Sequence, residues 1–349
     1  MIKGVDLAAL AVTLAIGAVG GALAAVAHLP LGYLLGSLLS VGVIAAAGWR
    51  PLGWAITLPA RLRFSFVPVI GVSIGAAFTP QVAGQALGWG PSLLALCLFV
   101  PVAHAVGYGI YRRGGLARRE AFFGAVPGGL IESVQLGEEA GADVRLLTVL
   151  QFLRLIGTIV AIPMLFWALT GQAVGSAAGV TLTAAGLSLR DAVILVLGGL
   201  AGVAVGRALR LPGWIITGPL TASALLHGFD IVQGAPPGWL IAATQVVLGT
   251  GLGARFVGIE GRILRQAAGL ALINGIAALL LALGFALTLH ALVGEPVAAV
   301  FLAFAPGGLA EMSLIALSLK MSVIYVTAHH VLRIVLAVSF AKLGARYLG

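Results

Sequence analysis

Charge is what this sequence has least of, and the shortage excludes a soluble domain. Only 9% of its 349 residues are Asp, Glu, Lys or Arg, whereas soluble domains carry about 25%. No polar stretch is longer than a loop. Apolar runs near or above the roughly 18 residues that span a bilayer recur along the whole length. The composition therefore predicts an all-α integral membrane protein with several crossings.

Cysteine and recognisable metal-ligand patterns are also scarce. The single cysteine, Cys97, lies in an apolar run and supports neither a disulfide nor a thiolate metal site. No HxxxH or HExxH spacing occurs, and the adjacent His329 and His330 would point about 100° apart on a helix. We therefore expect no metal, no cofactor and no catalytic residues, and hence no enzyme. The net charge of +9 is typical of basic cytoplasmic loops, so we expect no nucleic-acid partner.

The apolar segments number twelve and form two sets of six. They cover residues 7–27, 29–47, 64–80, 90–111, 120–137 and 144–169, then 191–209, 212–228, 239–256, 266–290, 297–319 and 322–341. Small and polar residues at 171–183 predict a flexible linker between the sets. We therefore divide the chain into a first repeat, 1–172, and a second repeat, 173–349.

The two sets match at residues that helices seldom repeat by chance. The triplet Pro127-Gly128-Gly129 recurs 179 positions later as Pro306-Gly307-Gly308. Three pairs of polar residues follow the triplets at that same spacing: Glu132 and Glu311, Gln151 and His330, and Arg154 and Arg333. Glycines at 36 and 218, 71 and 249, and 75 and 253 also correspond. Pro lacks an N–H and Gly is entropically costly in a helix, so each triplet predicts a break.

The basic loops indicate that the repeats have opposite orientations. Lys and Arg follow the second and fourth segments in the first half, but the first and third segments in the second half. By the positive-inside rule, equivalent loops have changed sides. An inverted repeat requires an odd number of crossings in each half. We therefore predict five transmembrane helices and one Pro-Gly-Gly re-entrant or broken helix per repeat, with both termini cytoplasmic.

A broken helix exposes backbone groups that can bind a ligand inside the membrane. Such groups are tolerated only where protein or a water-filled cavity satisfies them. The N-terminus of the half-helix after each break carries partial positive charge and favours an anion. We therefore expect both Pro-Gly-Gly triplets to bind substrate. The alternative is that the glycines only permit close packing or a kink.

The polar residues after the breaks are the other site candidates. Arg154 and Arg333 present planar guanidinium groups suited to a carboxylate. Gln151 and His330, three residues earlier, share a helical face with them. The glutamates at 132 and 311 are candidates for ion or proton coupling. In the alternative interpretation, each glutamate forms a permanent ion pair with the arginine of its own half.

These motifs resemble the AbrB family of bacterial membrane proteins, whose members carry a duplicated AbrB region. The resemblance rests on residues 306–312 with 328–333, and on 127–129 with 141–145 and 151–154, and it covers essentially the whole chain. Members are labelled ammonia monooxygenases or membrane regulators of gene expression. No ligand cluster for a metal or flavin and no cytoplasmic reader domain is recognisable here. The inverted halves also resemble secondary transporters of the cation–anion antiporter and bile-acid symporter type, as a fold-level analogy.

The sequence thus favours a secondary transporter in the bacterial inner membrane. Its partners would be a small anionic metabolite, a coupling cation or proton and the lipid bilayer, and a homodimer is the default assembly. The second hypothesis is a membrane-embedded metabolite sensor that regulates gene expression without transport. An integral oxygenase is the third and least favoured.

Overall fold

The chain is helical throughout the part that its structure describes. The computed structural model describes residues 6–78, 84–170, 187–319 and 321–346. These ranges contain fourteen α-helices, three short 3-10 turns and no β-strand. The predicted all-α class is therefore confirmed. The predicted linker at 171–183 lies outside the described residues.

The bounds of the helices are as follows. In chain order they are α1 (Leu7–Val26), α2 (Gly32–Ala46), α3 (Ala60–Gly75), α4 (Gly90–Arg113), α5 (Arg118–Gly124), α6 (Leu130–Glu139), α7 (Val144–Thr170), α8 (Leu189–Ala208), α9 (Trp214–Gly228), α10 (Gly238–Gly253), α11 (Gly261–Val293), α12 (Val297–Phe304), α13 (Leu309–Ser318) and α14 (Val323–Ala345). In the described ranges six of them, α1, α4, α7, α8, α11 and α14, are long and apolar enough to cross a membrane. The chain therefore has the make-up of a multi-pass membrane protein.

Each of the twelve predicted apolar segments contains a helix, and two of them contain a break. The fifth segment divides into α5 and α6, and the eleventh into α12 and α13. Both interruptions fall at the Pro-Gly-Gly triplets, because the proline cannot donate a helical hydrogen bond and the glycines favour an open backbone. We refer to residues 127–129 as the first break and residues 306–308 as the second break.

The chain divides into two compact units, and each contains parts of both predicted repeats. The first unit comprises Met1–Pro80, Ile162–Ile259 and Ser313–Val323, and the second comprises Gln81–Ala161, Glu260–Met312 and Ile324–Gly349. The units are thus distinct from the predicted repeats at 1–172 and 173–349. Both breaks and all the predicted site residues belong to the second unit.

Within the first unit, equivalent helices pack in equivalent ways. Helix α1 packs on α2 as α8 packs on α9, and α2 packs on α10 as α9 packs on α3. A Cβ at Gly36 would overlap the carbonyl oxygen of Gly20, and one at Gly218 would overlap that of Gly202. Both pairs are 182 positions apart (20 to 202, 36 to 218). These crossings therefore require glycine at the same places in each half.

The turns of the first unit repeat as well. The turn between α1 and α2 holds His28 at φ 54°, and the turn between α8 and α9 holds Arg210 at φ 52°. Gly48 and Asp230, which follow α2 and α9 at the same spacing of 182, have φ values of 68° and 54°. Non-glycine residues seldom adopt this left-handed conformation. Shared helix crossings and shared turn conformations indicate that the two halves use one backbone plan.

The second unit is built around α4 and α11, which pack on each other. Helix α4 also contacts α5, and α11 contacts α12, so the first part of each broken segment packs on its own long helix. Phe99 of α4 and Phe285 of α11 meet Phe304, the last residue of α12, with ring centroids 5.2 Å and 5.4 Å from it. This aromatic cluster fixes the end of α12 directly before the second break.

Candidate functional site

The first break is held open by an amide side chain. Helix α5 ends at Gly124, Pro127 is buried, and α6 begins after Gly129, whose φ of 63° suits glycine. The Gln151 amide nitrogen donates to the Phe123 carbonyl at 2.9 Å. These contacts satisfy the last turn of α5, which the break deprives of its helical partners.

The second break is held by a guanidinium group. Helix α12 ends at Phe304, and Arg333 Nη1 donates to the carbonyl of Ala305. Its Nη2 donates to the Gly307 carbonyl at 2.7 Å. Only 1% of the Arg333 side chain is exposed. The planar fork of arginine can reach both carbonyls at once, so Arg333 closes the gap in the backbone ladder.

A polar residue three positions before each arginine repeats one hydrogen-bond pattern. His330 Nε2 donates to the Leu302 carbonyl at 3.0 Å, as Gln151 does to Phe123. Arg333 Nη2 then donates to His330 Nδ1 at 2.8 Å, and Arg154 Nη2 donates to Gln151 Oε1 at 2.5 Å. The His330 imidazole and the Gln151 amide thus make equivalent hydrogen bonds. Each accepts one from its arginine and donates one to a carbonyl of the helix before the break.

The two histidines on α14 have separate partners. His329 donates from Nδ1 to the Tyr325 carbonyl at 2.8 Å, and its Nε2 lies 2.8 Å from the Ser92 hydroxyl. Both ring nitrogens of His330 are engaged near the second break. Across the described ranges, no three His, Cys, Asp or Glu residues come close enough together to hold a metal ion.

Arg154 differs from Arg333 in its surroundings. It is 8% exposed, and in the part of the chain that the structure describes its side-chain hydrogen bond goes to Gln151. Arg154 also lines a cavity of about 240 Å³ between α7 and α11, together with Gly157, Thr158, Ala271 and Gly275. We refer to this space as the Arg154 cavity. Arg154 therefore borders open space, whereas Arg333 is bound to the backbone at the second break.

The two breaks approach each other through the long helices. A Cβ at Gly128 would lie 3.6 Å from Arg333 Nε, which is buried and lacks a hydrogen-bond partner among the described residues. A Cβ at Gly308 would lie 3.4 Å from Leu155, the neighbour of Arg154. Each break therefore lies against the helix that carries the other half's arginine. The structure places the predicted site residues in one region of the second unit.

The glutamates are placed differently from each other. Glu132 is exposed, and among the described residues its carboxylate makes no hydrogen bond or ion pair. It does not pair with Arg154, so the predicted ion pair of the first half is not formed. Glu311 is half-buried, and its carboxylate folds back over Gly308. Each glutamate is the third residue of its half-helix, where an acid stabilises the helix N-terminus.

Sequence reasoning missed part of this region. The Arg154 cavity and the carbonyls that bind Arg333 were not foreseen. Gly157 had a usable signal, since it follows Arg154 by three residues and so shares its helical face. Gly275 had no such signal. It is far from Arg154 in the sequence, and the two residues border the same cavity only in the folded protein.

Comparison with known proteins places this region inside a matched family segment. The family model described as "Transition state regulatory protein AbrB" matches residues 43–349, which include both breaks. The chain is 26% identical over 351 residues to "Uncharacterized protein YhjN" of Bacillus subtilis (strain 168), with 93% of this chain and 89% of that protein covered. It is also 26% identical over 312 residues to "Putative regulator AbrB" of Escherichia coli (strain K12), with 88% and 87% covered.

Proposed function

We propose that this chain, which belongs to the AbrB family, is a secondary transporter for a small anionic metabolite. The observation that carries the proposal is the pair of broken helices with a buried arginine beside each. Non-helical backbone and buried charge are both expensive within a membrane and usually mark a substrate path. Alternating access to one site between two repeats would then carry the anion across.

We infer that the two halves are inverted repeats. The shared glycine crossings, left-handed turns and hydrogen bonds at the breaks support the duplication. The exchanged basic loops support the inversion. In this arrangement each half has five crossings, and α5–α6 and α12–α13 are re-entrant or broken segments near the midplane. Both termini then face the cytoplasm from the bacterial inner membrane.

Cysteine labelling tests the inverted arrangement. In a Cys97→Ser background, Gln233→Cys and Arg210→Cys each place a thiol at an exposed residue flanking α9. We expect an impermeant maleimide added outside intact cells to label Gln233→Cys and to spare Arg210→Cys. External labelling of Arg210→Cys with protection of Gln233→Cys would overturn the inversion.

Charge favours an anion as the substrate. The N-termini of α6 and α13 offer free N–H groups and partial positive charge, and Arg154 and Arg333 add two full positive charges. The glutamates at 132 and 311 lie in the first turn of these half-helices, where they compete with an anion for the same field. Protonation or cation binding at either glutamate would relieve that competition. Coupling to a proton or cation follows from this placement.

A metabolite sensor without transport is the alternative, and the name "Putative regulator AbrB" of the Escherichia coli relative favours it. Such a protein would bind the same anion at the same residues. It would differ in needing a partner protein on its cytoplasmic loops. Robust flux by the purified protein alone would separate the two functions.

Uptake into proteoliposomes tests the transport proposal. Purified protein is assayed with radiolabelled monocarboxylates, dicarboxylates and amino acids, together with Arg154→Gln and Glu311→Gln variants. We expect Arg154→Gln to lower uptake at least about tenfold, because a charge-assisted hydrogen bond to substrate is worth about 1.5–3 kcal/mol. Arg145→Gln is the matched control, since its pair with Glu260 is exposed. Absence of uptake for every acid, with binding retained, would favour the sensor.

A further inference from the structure

The Arg154 cavity has the chemistry of a site for one carboxylate joined to an apolar body. We propose that it binds a short-chain monocarboxylate, whose carboxylate pairs with the Arg154 guanidinium and whose apolar part lies between α7 and α11. This proposal rests on the proposed function and narrows its substrate class. It assigns the ligand contact to Arg154 and a backbone-holding role to Arg333.

The cavity exists because small residues face each other across two neighbouring helices. Arg145 and Glu260, at the beginnings of α7 and α11, lie 3.4 Å apart, so the two helices start side by side. Further along, Gly157 and Gly275 line the cavity, and a Cβ added at either would meet no atom within 4 Å. The glycines therefore leave open space instead of a close helix contact.

The residues that line the cavity favour a ligand with a single negative charge. Among the described residues that line the cavity, Arg154 alone is charged, and it is more than nine-tenths buried. Thr158, the only other polar side chain there, donates its hydroxyl to the Arg154 carbonyl at 2.9 Å. A neutral ligand would leave the positive charge of the guanidinium without a counter-charge, and a second negative charge on the ligand would have no partner in the cavity. A monoanion satisfies both conditions.

The volume suits a small ligand, although the cavity is partly open, since Leu272 and Ile276 of its lining are 62% and 50% exposed. The cavity measures about 240 Å³. It is larger than the roughly 150 Å³ apolar cavity that accepts benzene and smaller than the roughly 300–1,000 Å³ of sites for drug-sized ligands. The walls opposite Arg154 are Ala, Gly, Leu and Ile side chains. A carboxylate with a short aliphatic chain fits both the size and the walls.

Calorimetry in phosphatidylcholine nanodiscs tests the proposal without relying on transport. The probes are hexanoate, its neutral amide hexanamide, and the dianion adipate. We expect saturable binding of hexanoate and at least about tenfold weaker binding of the other two probes. Hexanamide has no charge to pair with Arg154, and adipate has a second carboxylate without a partner. Equal binding of hexanoate and hexanamide would overturn the proposal.

Two variants with one matched control locate the site. Arg154→Gln removes the charge, and Gly275→Leu fills the cavity without a clash at Cβ. Gly284→Leu is the control, because Gly284 is an exposed glycine of the same helix that also has open space. We expect hexanoate binding to weaken about 10- to 100-fold in Arg154→Gln. It should be abolished in Gly275→Leu and unchanged in Gly284→Leu. Wild-type affinity in Gly275→Leu would place the ligand elsewhere and overturn the proposal.

The carboxylate could reach the cavity from water or from the bilayer, and oleate distinguishes these sources. Competition by oleate that disappears in Arg154→Gln would assign the site to membrane-borne carboxylates. Hexanoate binding unaffected by oleate would assign it to water-borne ones. Binding of hexanoate without flux in proteoliposomes would contradict the transport function and support this site. Flux of an acid that is insensitive to Gly275→Leu would support transport and contradict this site.

Discussion

Arg154 and Arg333 occupy equivalent positions after two broken helices, yet their guanidinium groups have different partners. Arg333 donates to the carbonyls of Ala305 and Gly307 and is almost fully buried. Arg154 donates to Gln151 and borders a cavity. The first break needs less help, because Gln151 also donates to the Val126 carbonyl at 3.4 Å, whereas the equivalent Ala305 carbonyl is bound by Arg333. One copy of the motif therefore uses its arginine to bind the backbone, and the other leaves its arginine beside a cavity.

The first unit shows the opposite tendency, since its two halves remain equivalent. Glycines contact the same backbone atoms in both halves, and left-handed turns recur at the same places. At each crossing a side chain larger than glycine would overlap the backbone of the neighbouring helix, so the glycine is required in both halves. The two halves thus differ where residues border a cavity and agree where backbones touch.

Arg333→Gln should have the largest effect on stability. Two buried carbonyls would lose their charged donors, at about 1–3 kcal/mol for each unsatisfied group. We expect a loss of about 2–4 kcal/mol and a much lower melting temperature in detergent. Arg145→Gln, at an exposed ion pair, should change the melting temperature little. An Arg333→Gln protein as stable as wild type would show that the second break holds itself open.

Gly36→Ala and Gly218→Ala should have the next largest effects, and those effects should be equal. Each new Cβ would overlap a backbone carbonyl of the neighbouring helix. We expect each to lose about 1–3 kcal/mol by thermal unfolding. Gly284→Ala, which meets no neighbour, should gain up to about 1 kcal/mol from helix propensity. Clearly unequal losses at 36 and 218 would break the equivalence of the two halves.

His330→Gln should be almost neutral, because it gives the second break the side chain found at the first. A glutamine can donate to the Leu302 carbonyl and accept from Arg333, as Gln151 does in its own half. We expect a change of less than about 1 kcal/mol, whereas His330→Leu should lose about 1–3 kcal/mol. The pH profile of uptake between about 5 and 8, the range in which histidine titrates, should not change in His330→Gln. A flattened profile would mean that His330 carries a proton during the cycle.

The sequence predicted the helices and the breaks, but it could not predict the difference between the arginines. Twelve apolar segments follow from composition, and the interruptions at Pro127 and Pro306 follow from their missing N–H groups. Both halves, however, have the same Pro-Gly-Gly triplet and an arginine at the same distance. What Arg154 faces depends on Gly275, which is far away in the chain and meets it only in the folded protein. The alternative ion pair between Glu132 and Arg154 is not formed, since the Glu132 side chain is exposed and makes no ion pair among the described residues.

We propose that Arg333 holds the backbone and that Arg154 binds the anion. Thermal unfolding of purified Arg154→Gln and Arg333→Gln, each with and without hexanoate, tests it directly. We predict that Arg154→Gln melts near the wild-type temperature and loses the stabilisation by hexanoate. Arg333→Gln should melt well below wild type and keep that stabilisation. The reverse pattern, with ligand stabilisation lost only in Arg333→Gln, would contradict the claim.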